Sequence, residues 1–481
     1  MARYLIIAPP PTPNGGFHLG HVSGPYLGAD ICKRMLGLNG RAAAYVISTD
    51  NNQSYVNTTA ARLGVDADKL VAQARSDISS TLADYQLGVD LFGDQDEAYD
   101  AYVKKGFSRL FDAKHLRWCA TDVLYDKATS SYPVESYISG SCPHCFAPTC
   151  GGICEACGHA NDAIDIVDNS SGRYEVRHEQ RLVFDIEKFR AAMAVELGKC
   201  SLRPYLKNLV GHYLAAPIPP FVMSYKIGRG IDTAFCGEPG QQLNVWGEML
   251  FGHRYFLEKN VGEVRADDRY VQFFGYDNSY FYVILHTAMS LALKETGCHW
   301  PLPAAFVTNQ FYNLEAAKFS TSKGHLIWAN DFSQRHNPDL IRLYLALNGP
   351  ELQEADFVEA IFERESTRLL AKINRLSEIY NEHGDAVRGP VPDTLKKALA
   401  PYSFDLERLA DFMIGGAARK AVNVMDLIIR QVELGHLEAV AAIPAFIQNL
   451  LSPFCPGHAQ ICGEATGSAP HKKQILPRME K

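Results

Sequence analysis

The sequence predicts an α/β protein built on a parallel sheet, with a cysteine-rich insertion and a helical C-terminal region. A short apolar segment, Tyr4–Ala8, runs through a Pro/Gly turn into a helical stretch at 18–38. Five cysteines crowd into 142–157. From residue 337 onward, apolar residues recur at spacings of three and four, which is typical of packed helices.

The first part of the chain, 1–115, alternates predicted strands and helices. A second strand is expected at Ala43–Thr49 and ends at Asp50, and polar residues at the carboxyl end of such a strand lie where open α/β sheets bind ligands. His18 and His21 open the first helix, where free N–H groups and the helix dipole favour an anion. Imidazoles can donate hydrogen bonds to phosphate, so this turn predicts a phosphate site.

The second part, 116–215, contains two C-x-x-C knuckles, Cys142 with Cys145 and Cys154 with Cys157. Four thiolates suit tetrahedral Zn²⁺ in a closed, structural site. A redox-active dithiol is the alternative interpretation. Clustered rather than scattered cysteines favour metal binding in a reducing compartment.

The remaining parts return to the α/β pattern and then become helical. In 216–335, short strands are expected at 244–246, 270–274 and 306–312, with a helix at 280–295 and a closing loop, Lys318-Phe319-Ser320-Thr321-Ser322-Lys323-Gly324. In 336–463, helical spacing runs through 369–380 and again through 406–432, with a loop at 384–392 between them. The last part, 464–481, is a polar tail.

Bulk composition narrows the classes of partner. The chain has 481 residues, 47% of them hydrophobic and 21% charged, which predicts a globular protein of two to four domains. The net charge of −7 creates no overall positive potential that would attract nucleic acid. DNA is therefore not an expected partner. Neither a secretory leader nor an apolar stretch near 20 residues is visible, so we expect a cytoplasmic location and no membrane partner.

Three motifs carry a resemblance to a known family. The turn His18-Leu19-Gly20-His21, the cysteine knuckles and the loop Lys318–Gly324 are similar to the signatures of class I aminoacyl-tRNA synthetases, methionyl-tRNA synthetases in particular, over roughly residues 3–380. The resemblance implies a Rossmann-like catalytic domain in two halves (1–115 and 216–335), a connective insertion with a zinc knuckle (116–215), a bundle like an anticodon-binding domain (336–463) and a tail (464–481).

The resemblance also implies site residues, because the family's opening motif stabilises the pentavalent phosphorus formed on ATP. The implied catalytic residues are His18, His21, Lys318 and Lys323. The implied ATP-binding residues are Thr12, Asn14, Gly20, Gly275, Asp277, Ser320, Thr321 and Ser322. The implied amino-acid-binding residues are Pro10, Asp50, Trp246, His253 and Tyr282. The implied ligands are ATP with Mg²⁺ and a structural Zn²⁺ on Cys142, Cys145, Cys154 and Cys157.

Several positions depart from the family's pattern. In the lysine-serine loop, Thr321 stands where the second lysine is usual, and Lys323 follows two residues later. In the amino-acid pocket the departures are Pro10 for leucine, Thr12 for tyrosine, His253 for tyrosine and Tyr282 for histidine. A hydrophobic pocket distinguishes two amino acids that differ by one methylene by about 1–3 kcal/mol of binding free energy. Because several residues that line the pocket differ from the family's pattern, we predict that methionine is not the preferred amino acid.

The predicted bundle lacks the residues with which the family contacts the anticodon. All four tryptophans, Trp118, Trp246, Trp300 and Trp328, precede it. Arg375 is present, but Ala371 stands where an asparagine is expected. Because exposed aromatic side chains stack on unpaired bases, this absence predicts that methionine tRNA is not the acceptor.

The sequence therefore favours an ATP-dependent, AMP-forming ligase that makes an aminoacyl adenylate and passes the acyl group to a nucleophile. We expect a small-molecule acceptor such as an N-hydroxylated amine, with a separate cupin-type protein as a partner. One alternative is an aminoacyl-tRNA synthetase of the methionyl type that charges a tRNA. The other is a catalytically inactive paralogue with a binding role.

Overall fold

A computed structural model describes residues 2–167, 172–298, 300–319, 324–384, 389–402, 412–467 and 477–480. The strands are β1 Tyr4–Ile7, β2 Ala43–Ile47, β3 Leu91–Phe92, β4 Leu116–Asp126, β5 Ser139–Ser141, β6 Pro148–Cys150, β7 Gly152–Ile153, β8 Ala160–Asn161, β9 Tyr174–Phe184, β10 Phe221–Val222, β11 Ser224–Tyr225, β12 Gln242–Leu243, β13 Arg269–Gly275, β14 Ala305–Asn309, β15 Tyr312–Leu314, β16 Ala317–Lys318 and β17 Ala355–Phe357. The α-helices are α1 Leu19–His21, α2 Leu27–Leu38, α3 Ser54–Leu63, α4 Ala67–Asp84, α5 Glu97–Asp112, α6 Ala163–Ile166, α7 Arg190–Leu197, α8 Pro204–Leu214, α9 Val245–Val261, α10 His286–Glu295, α11 Ala329–Arg335, α12 Pro338–Asn348, α13 Glu359–His383, α14 Asp393–Lys396, α15 Ile414–Glu433, α16 Ile443–Phe446 and α17 Pro456–Gly467.

The central sheet is parallel and has the order β14, β13, β1, β2, β3. Every residue of β1 is buried, which is the pattern of a strand covered on both faces. Because side chains alternate along a strand, Tyr4 and Ile6 enter one hydrophobic core and Leu5 and Ile7 enter the other. The carboxyl ends of these strands meet at one edge, which is where ligands bind in such sheets.

The α/β class predicted from the sequence is confirmed, and most element predictions agree with it. The expected strand at 270–274 lies within β13, and the expected helix at 280–295 is present, its first turns having π-helical hydrogen bonding over Tyr280–Leu285. The strand expected at 244–246 is wrong. Asn244 instead caps α9, its side chain accepting a hydrogen bond from the Trp246 N–H at 3.1 Å.

The insertion is a long antiparallel ribbon that carries the cysteine knuckles. Strands β4 and β9 pair along their full lengths, from Leu116 with Phe184 to Asp126 with Tyr174. Between them lie two short hairpins, β5 with β6 and β7 with β8. At the base of the ribbon, Leu182 and Phe184 enter the same core as Leu5 and Ile7. The ribbon is therefore anchored in the core of the sheet domain.

The C-terminal helices share the other core with the sheet. Helix α12 packs against α13 and α15, and residues such as Ile341 and Ala421 join the cluster that contains Tyr4 and Ile6. The predicted helical segment at 406–432 is described only from residue 412, and α15 starts at Ile414. Within the described residues, a search for helices that could cross a bilayer finds none. The four boundaries between the five predicted segments of the chain stay predictions.

Candidate active site

The two histidines of the opening turn stack on each other and cap each other's backbone. Their ring centroids are 3.7 Å apart. The His21 N–H donates to His18 Nδ1, and the His18 N–H donates to His21 Nδ1, both at 3.3 Å. In a neutral imidazole one nitrogen accepts and the other carries hydrogen. Both rings therefore hold a hydrogen on Nε2, and the turn offers two N–H donors.

Both imidazoles are neutral at pH 7. Burial, together with His21 and Lys318, lowers the pKa of His18 to about 2. Burial and Lys318 lower the pKa of His21 to about 4. A neutral ring donates a hydrogen bond without placing a permanent cation in the cleft, so it responds to charge that develops during a reaction.

The lysine-bearing segment lies directly against the histidines. The Phe319 ring stacks on the His18 ring with centroids 5.0 Å apart. The chain beyond the loop is fastened to the turn, because the Leu19 N–H donates to the Ile327 carbonyl at 3.1 Å and the Ala329 N–H donates to the Phe17 carbonyl at 2.8 Å. The two motifs therefore share one cleft. Ser320, Thr321, Ser322 and Lys323 lie outside the described residues.

Gly20, one of the implied ATP-binding residues, is covered in this structure. A Cβ added at Gly20 would lie 3.0 Å from the His18 ring and 3.1 Å from the Phe319 ring. A base that stacks on Gly20 therefore requires Phe319 to move. This contact ties the position of the loop to access of a nucleotide.

Gly275 and Asp277, two of the implied ATP-binding residues, lie in the turn at the end of β13. A Cβ at Gly275 would approach Asp277 Oδ1 to 2.6 Å, so a larger residue there would force that carboxylate to move. Burial raises the pKa of Asp277 to about 6, and Lys318 opposes the shift. Asp277 thus lies within electrostatic reach of the lysine that also acts on both histidines. Thr12 and Asn14 form the opening turn through a 2.9 Å hydrogen bond from the Asn14 N–H to the Thr12 carbonyl.

The residues predicted to bind the amino acid lie near one another. Asp50 is 2% exposed, and its N–H donates to the Pro11 carbonyl at 3.0 Å, which joins the end of β2 to the opening turn after Pro10. Trp246 stacks on Phe281 with centroids 3.7 Å apart and meets Tyr282 edge-on at 6.2 Å. His253 lies beside Tyr282, with ring centroids 5.7 Å apart.

Two buried carboxylates near Asp50 were missed by sequence reasoning. Glu248 accepts hydrogen bonds from Tyr99 Oη at 2.8 Å and Asn52 Nδ2 at 3.0 Å. Glu135 accepts from Ser54 Oγ at 3.0 Å and Trp246 Nε1 at 3.1 Å. Burial raises the pKa of each to about 7. Burial and these two neighbours raise the pKa of Asp50 well above its usual range, so the pocket is rich in acidic groups.

The chain's relatives identify the family. Residues 4–378 match the family described as tRNA synthetases class I (M). The chain belongs to this family. Curated methionine--tRNA ligases of Flavobacterium johnsoniae and Thermomicrobium roseum are 26% and 28% identical to it over 410 and 382 residues, which is 80% and 75% of this chain. The chain spans only 57% and 65% of the lengths of those two relatives.

The fold of the chain matches that of a solved synthetase. A structure of Mycobacterium tuberculosis methionyl-tRNA synthetase in complex with methionyl-adenylate has a TM-score of 0.71 and 16% sequence identity, with 99% of this chain and 97% of that chain covered. At this identity the likeness supports the shared fold alone. The resemblance seen in the motifs is therefore confirmed at the level of family and fold.

The four knuckle cysteines form one cluster. Their sulfur atoms all lie within 4.8 Å of one another, with Cys142 Sγ and Cys157 Sγ 3.8 Å apart and Cys145 Sγ and Cys154 Sγ 3.6 Å apart. A Zn–S bond of about 2.3 Å places the sulfurs of a tetrahedron about 3.8 Å apart. The donor set therefore fits a structural Zn²⁺, which would cross-link the two hairpins.

The hairpins that carry the cysteine cluster reach the lysine-bearing segment of the candidate active site. Glu155, which follows Cys154, forms an ion pair with Lys318. Glu155 also acts electrostatically on Asp277. The ribbon insertion and the segment that ends at Lys318 and Phe319 therefore meet close to Asp277, a contact for which the sequence offers no signal because 163 residues separate the partners.

We predict that Cys154→Ser lowers bound zinc from about one ion per chain to near zero, because a structural site needs all four ligands. Metal analysis of the purified protein measures the zinc content. Cys150→Ser is the matched control, since Cys150 is an exposed cysteine outside the cluster of four. Equal zinc in the two variants, or zinc-free wild type with a knuckle disulfide, would contradict the assignment and favour the redox dithiol.

Proposed function

We propose that the chain activates an α-amino acid with ATP, forming an aminoacyl adenylate and releasing pyrophosphate. The observation that carries the proposal is the shared cleft. The stacked His18 and His21, the segment ending at Lys318 and Phe319, and the turn at Asp277 all meet at one edge of the sheet. Asp50 lies beside this cleft at the end of a neighbouring strand.

Each of these residues has its own role in one displacement reaction at the α-phosphorus of ATP. Asp50 would hold the substrate's α-ammonium group, which leaves the carboxylate free to attack the α-phosphorus of ATP. A bond forms between a carboxylate oxygen and phosphorus, and the bond from phosphorus to the bridging oxygen of pyrophosphate breaks. Charge builds up on the phosphate oxygens, where the Nε2 hydrogens of His18 and His21 would donate. Lys318 would hold the leaving pyrophosphate after release from Glu155, and Mg²⁺ would accompany the nucleotide.

The acceptor is proposed from the relatives. The matched relatives are methionine--tRNA ligases, so transfer to a tRNA has more support than transfer to a small molecule. The expected N-hydroxylated amine and the cupin-type partner have no supporting observation among the relatives or the described residues. An inactive paralogue is disfavoured because His18, His21, Asp50 and Lys318 are all present around one cleft.

We predict that ATP–pyrophosphate exchange depends on one amino acid in a panel of the twenty standard amino acids without tRNA. Labelled amino acid and total tRNA from the source organism then test the acceptor, and a charged tRNA is the expected product. Exchange without charging would favour a small-molecule acceptor and contradict the tRNA assignment. Silence with all twenty, with and without tRNA, would contradict activation and favour the inactive paralogue.

A further inference from the structure

Two buried polar side chains at the side-chain end of the amino-acid pocket have unused hydrogen-bonding groups. His253 is 4% exposed and Gln272 is 1% exposed. Within the described residues, neither His253 Nε2 nor Gln272 Nε2 has a hydrogen-bond partner. A buried polar group without a partner costs about 1–3 kcal/mol, and native proteins leave few of them. Two such groups close to a predicted binding pocket therefore indicate a ligand that supplies the missing hydrogen-bond partners.

The strand pattern places Gln272 on the same face of β13 as Tyr270 and Phe274. Gln272 lies on β13 between Tyr270 and Phe274, and alternate residues of a strand share a face. The Tyr270 hydroxyl lies 3.4 Å from His253 Nδ1. The Phe274 ring packs on the Tyr282 ring with centroids 5.1 Å apart. Gln272 therefore lies between a residue that contacts His253 and a residue that contacts Tyr282.

This group continues the pocket that begins at Asp50. Tyr282 contacts both Trp246 and His253. It also lies within electrostatic reach of Asp50 and Asp277. A substrate whose ammonium group binds Asp50 would therefore extend its side chain past Trp246 and Tyr282 toward the two unused groups.

Both unused groups are donors. Burial and the neighbouring His286 keep His253 neutral by lowering its pKa. A buried tyrosine hydroxyl needs an acceptor, so we assign the Tyr270 hydroxyl, 3.4 Å from His253 Nδ1, as the donor of this contact, the tautomer in which the ring hydrogen stands on Nε2. Gln272 Nε2 belongs to an amide NH₂ group and also donates. The missing partner is therefore an acceptor atom, and the oxygen of a hydroxyl or a carbonyl group fits this description.

The acidic residues around the pocket favour an uncharged acceptor on the substrate over a carboxylate. Asp50, Glu135 and Glu248 all lie in or beside the pocket, and Glu135 and Glu248 both act electrostatically on Asp50. A carboxylate side chain on the substrate would add a further negative charge to this buried group. A hydroxyl or carboxamide side chain supplies the oxygen without the charge.

We propose that this pocket selects an uncharged amino acid whose side chain carries a hydroxyl or a carboxamide oxygen, bound by His253 Nε2 and Gln272 Nε2. The inference rests on the proposed function and names its substrate class. A thioether is a weak acceptor, so methionine would leave both donors unsatisfied. A site built to bond a polar substrate group rejects an analogue that lacks it by about 10⁴-fold in favourable cases.

The test compares kcat/KM for near-isosteric pairs in ATP–pyrophosphate exchange: threonine with valine, asparagine with leucine, and glutamine with methionine. We expect the preferred substrate to be an oxygen-bearing member that exceeds its apolar counterpart by about 100-fold or more. Exchange that prefers methionine, another apolar residue or a charged one overturns this inference and leaves the proposed function intact. Silence with every amino acid overturns the proposed function, and this inference with it.

Two variants test the assigned donors. His253→Phe and Gln272→Leu are each expected to lower the preference for the oxygen-bearing substrate by about 10-fold or more, through KM for the amino acid, with KM for ATP unchanged. Tyr255→Phe is the matched control, because Tyr255 lies on the same helix and its hydroxyl bonds the exposed Asp96. Unchanged selectivity in both variants, with unfolding midpoints near that of the wild type, overturns the assignment.

Discussion

His18→Ala and His21→Ala are each expected to lower kcat for ATP–pyrophosphate exchange by about 10²–10³-fold. Removing one preorganised donor from the site of developing charge typically costs about 3–4 kcal/mol of transition-state stabilisation. The structure supplies the reason for treating the pair as donors, since each Nδ1 accepts a backbone N–H and each Nε2 is left to donate. Steady-state exchange at saturating ATP and amino acid measures the effect.

The control separates catalysis from capping. Each imidazole caps the other's backbone N–H, so both substitutions also remove a cap worth about 0.5–2 kcal/mol of stability. Unfolding midpoints should therefore be measured beside the rates. His436→Ala removes an exposed histidine that pairs with Glu438 and should leave exchange unchanged. Wild-type rates in both His18 and His21 variants would reduce the motif to a structural turn.

The pH dependence of ATP–pyrophosphate exchange tests separately whether His18 and His21 act as neutral donors. With pKa values of about 2 and 4, His18 and His21 stay neutral from pH 6 to 8. Glu135 and Glu248, whose pKa values burial raises to about 7, ionise within that range. A pH profile of exchange near neutrality therefore reports buried carboxylates rather than the two histidines: Glu135 and Glu248 near pH 7, and Asp277, whose pKa burial raises to about 6.

Local patterns in the sequence were sufficient to predict the parts of the site that lie on short segments. His18 and His21 share one turn, Asp50 ends a strand, and the knuckle cysteines follow a spacing set by tetrahedral coordination. Such features depend on chemistry within a few residues. Their mutual placement follows from the parallel sheet, because the carboxyl ends of its strands lie together.

The features that the sequence did not predict depend on contacts between distant segments. Glu135 reaches Ser54 across 81 residues, and Glu248 reaches Tyr99 across 149 residues. A single carboxylate in an apolar run carries no signal of its own partners, and the usual expectation places it in solvent. The same limit applies to Asn244, whose capping role depends on where α9 begins.

Arg342 is the clearest case of a residue whose role is visible only in the fold. A charged residue among the apolar residues of α12 is expected to face solvent, but the Arg342 side chain is fully buried. It pairs with Asp30 at 2.6 Å and donates to the carbonyls of Tyr85 and Phe454 at 2.9 and 3.0 Å. This one side chain therefore joins the helical bundle to α2 of the sheet domain.

Arg342→Met is expected to lower the free energy of unfolding by about 3–5 kcal/mol, because it removes the buried charge partner of Asp30 and leaves several buried carbonyls unsatisfied. Asp30 keeps its contacts with Arg34 and the Gly88 N–H, so part of its charge stays compensated. Urea denaturation followed by circular dichroism measures the change. The loss should appear as a lower midpoint of the transition that includes the bundle.

Arg335→Met is the matched control, because Arg335 is an exposed arginine on the preceding helix and pairs with Glu359 at the surface. An exposed pair contributes about 0–1 kcal/mol, so the difference between the two variants isolates the effect of burial. Combining Arg342→Met with Asp30→Asn should recover part of the loss, since the buried negative charge is then removed as well. Equal midpoints for the Arg342 and Arg335 variants would show that the bundle is held to the sheet domain by apolar packing alone.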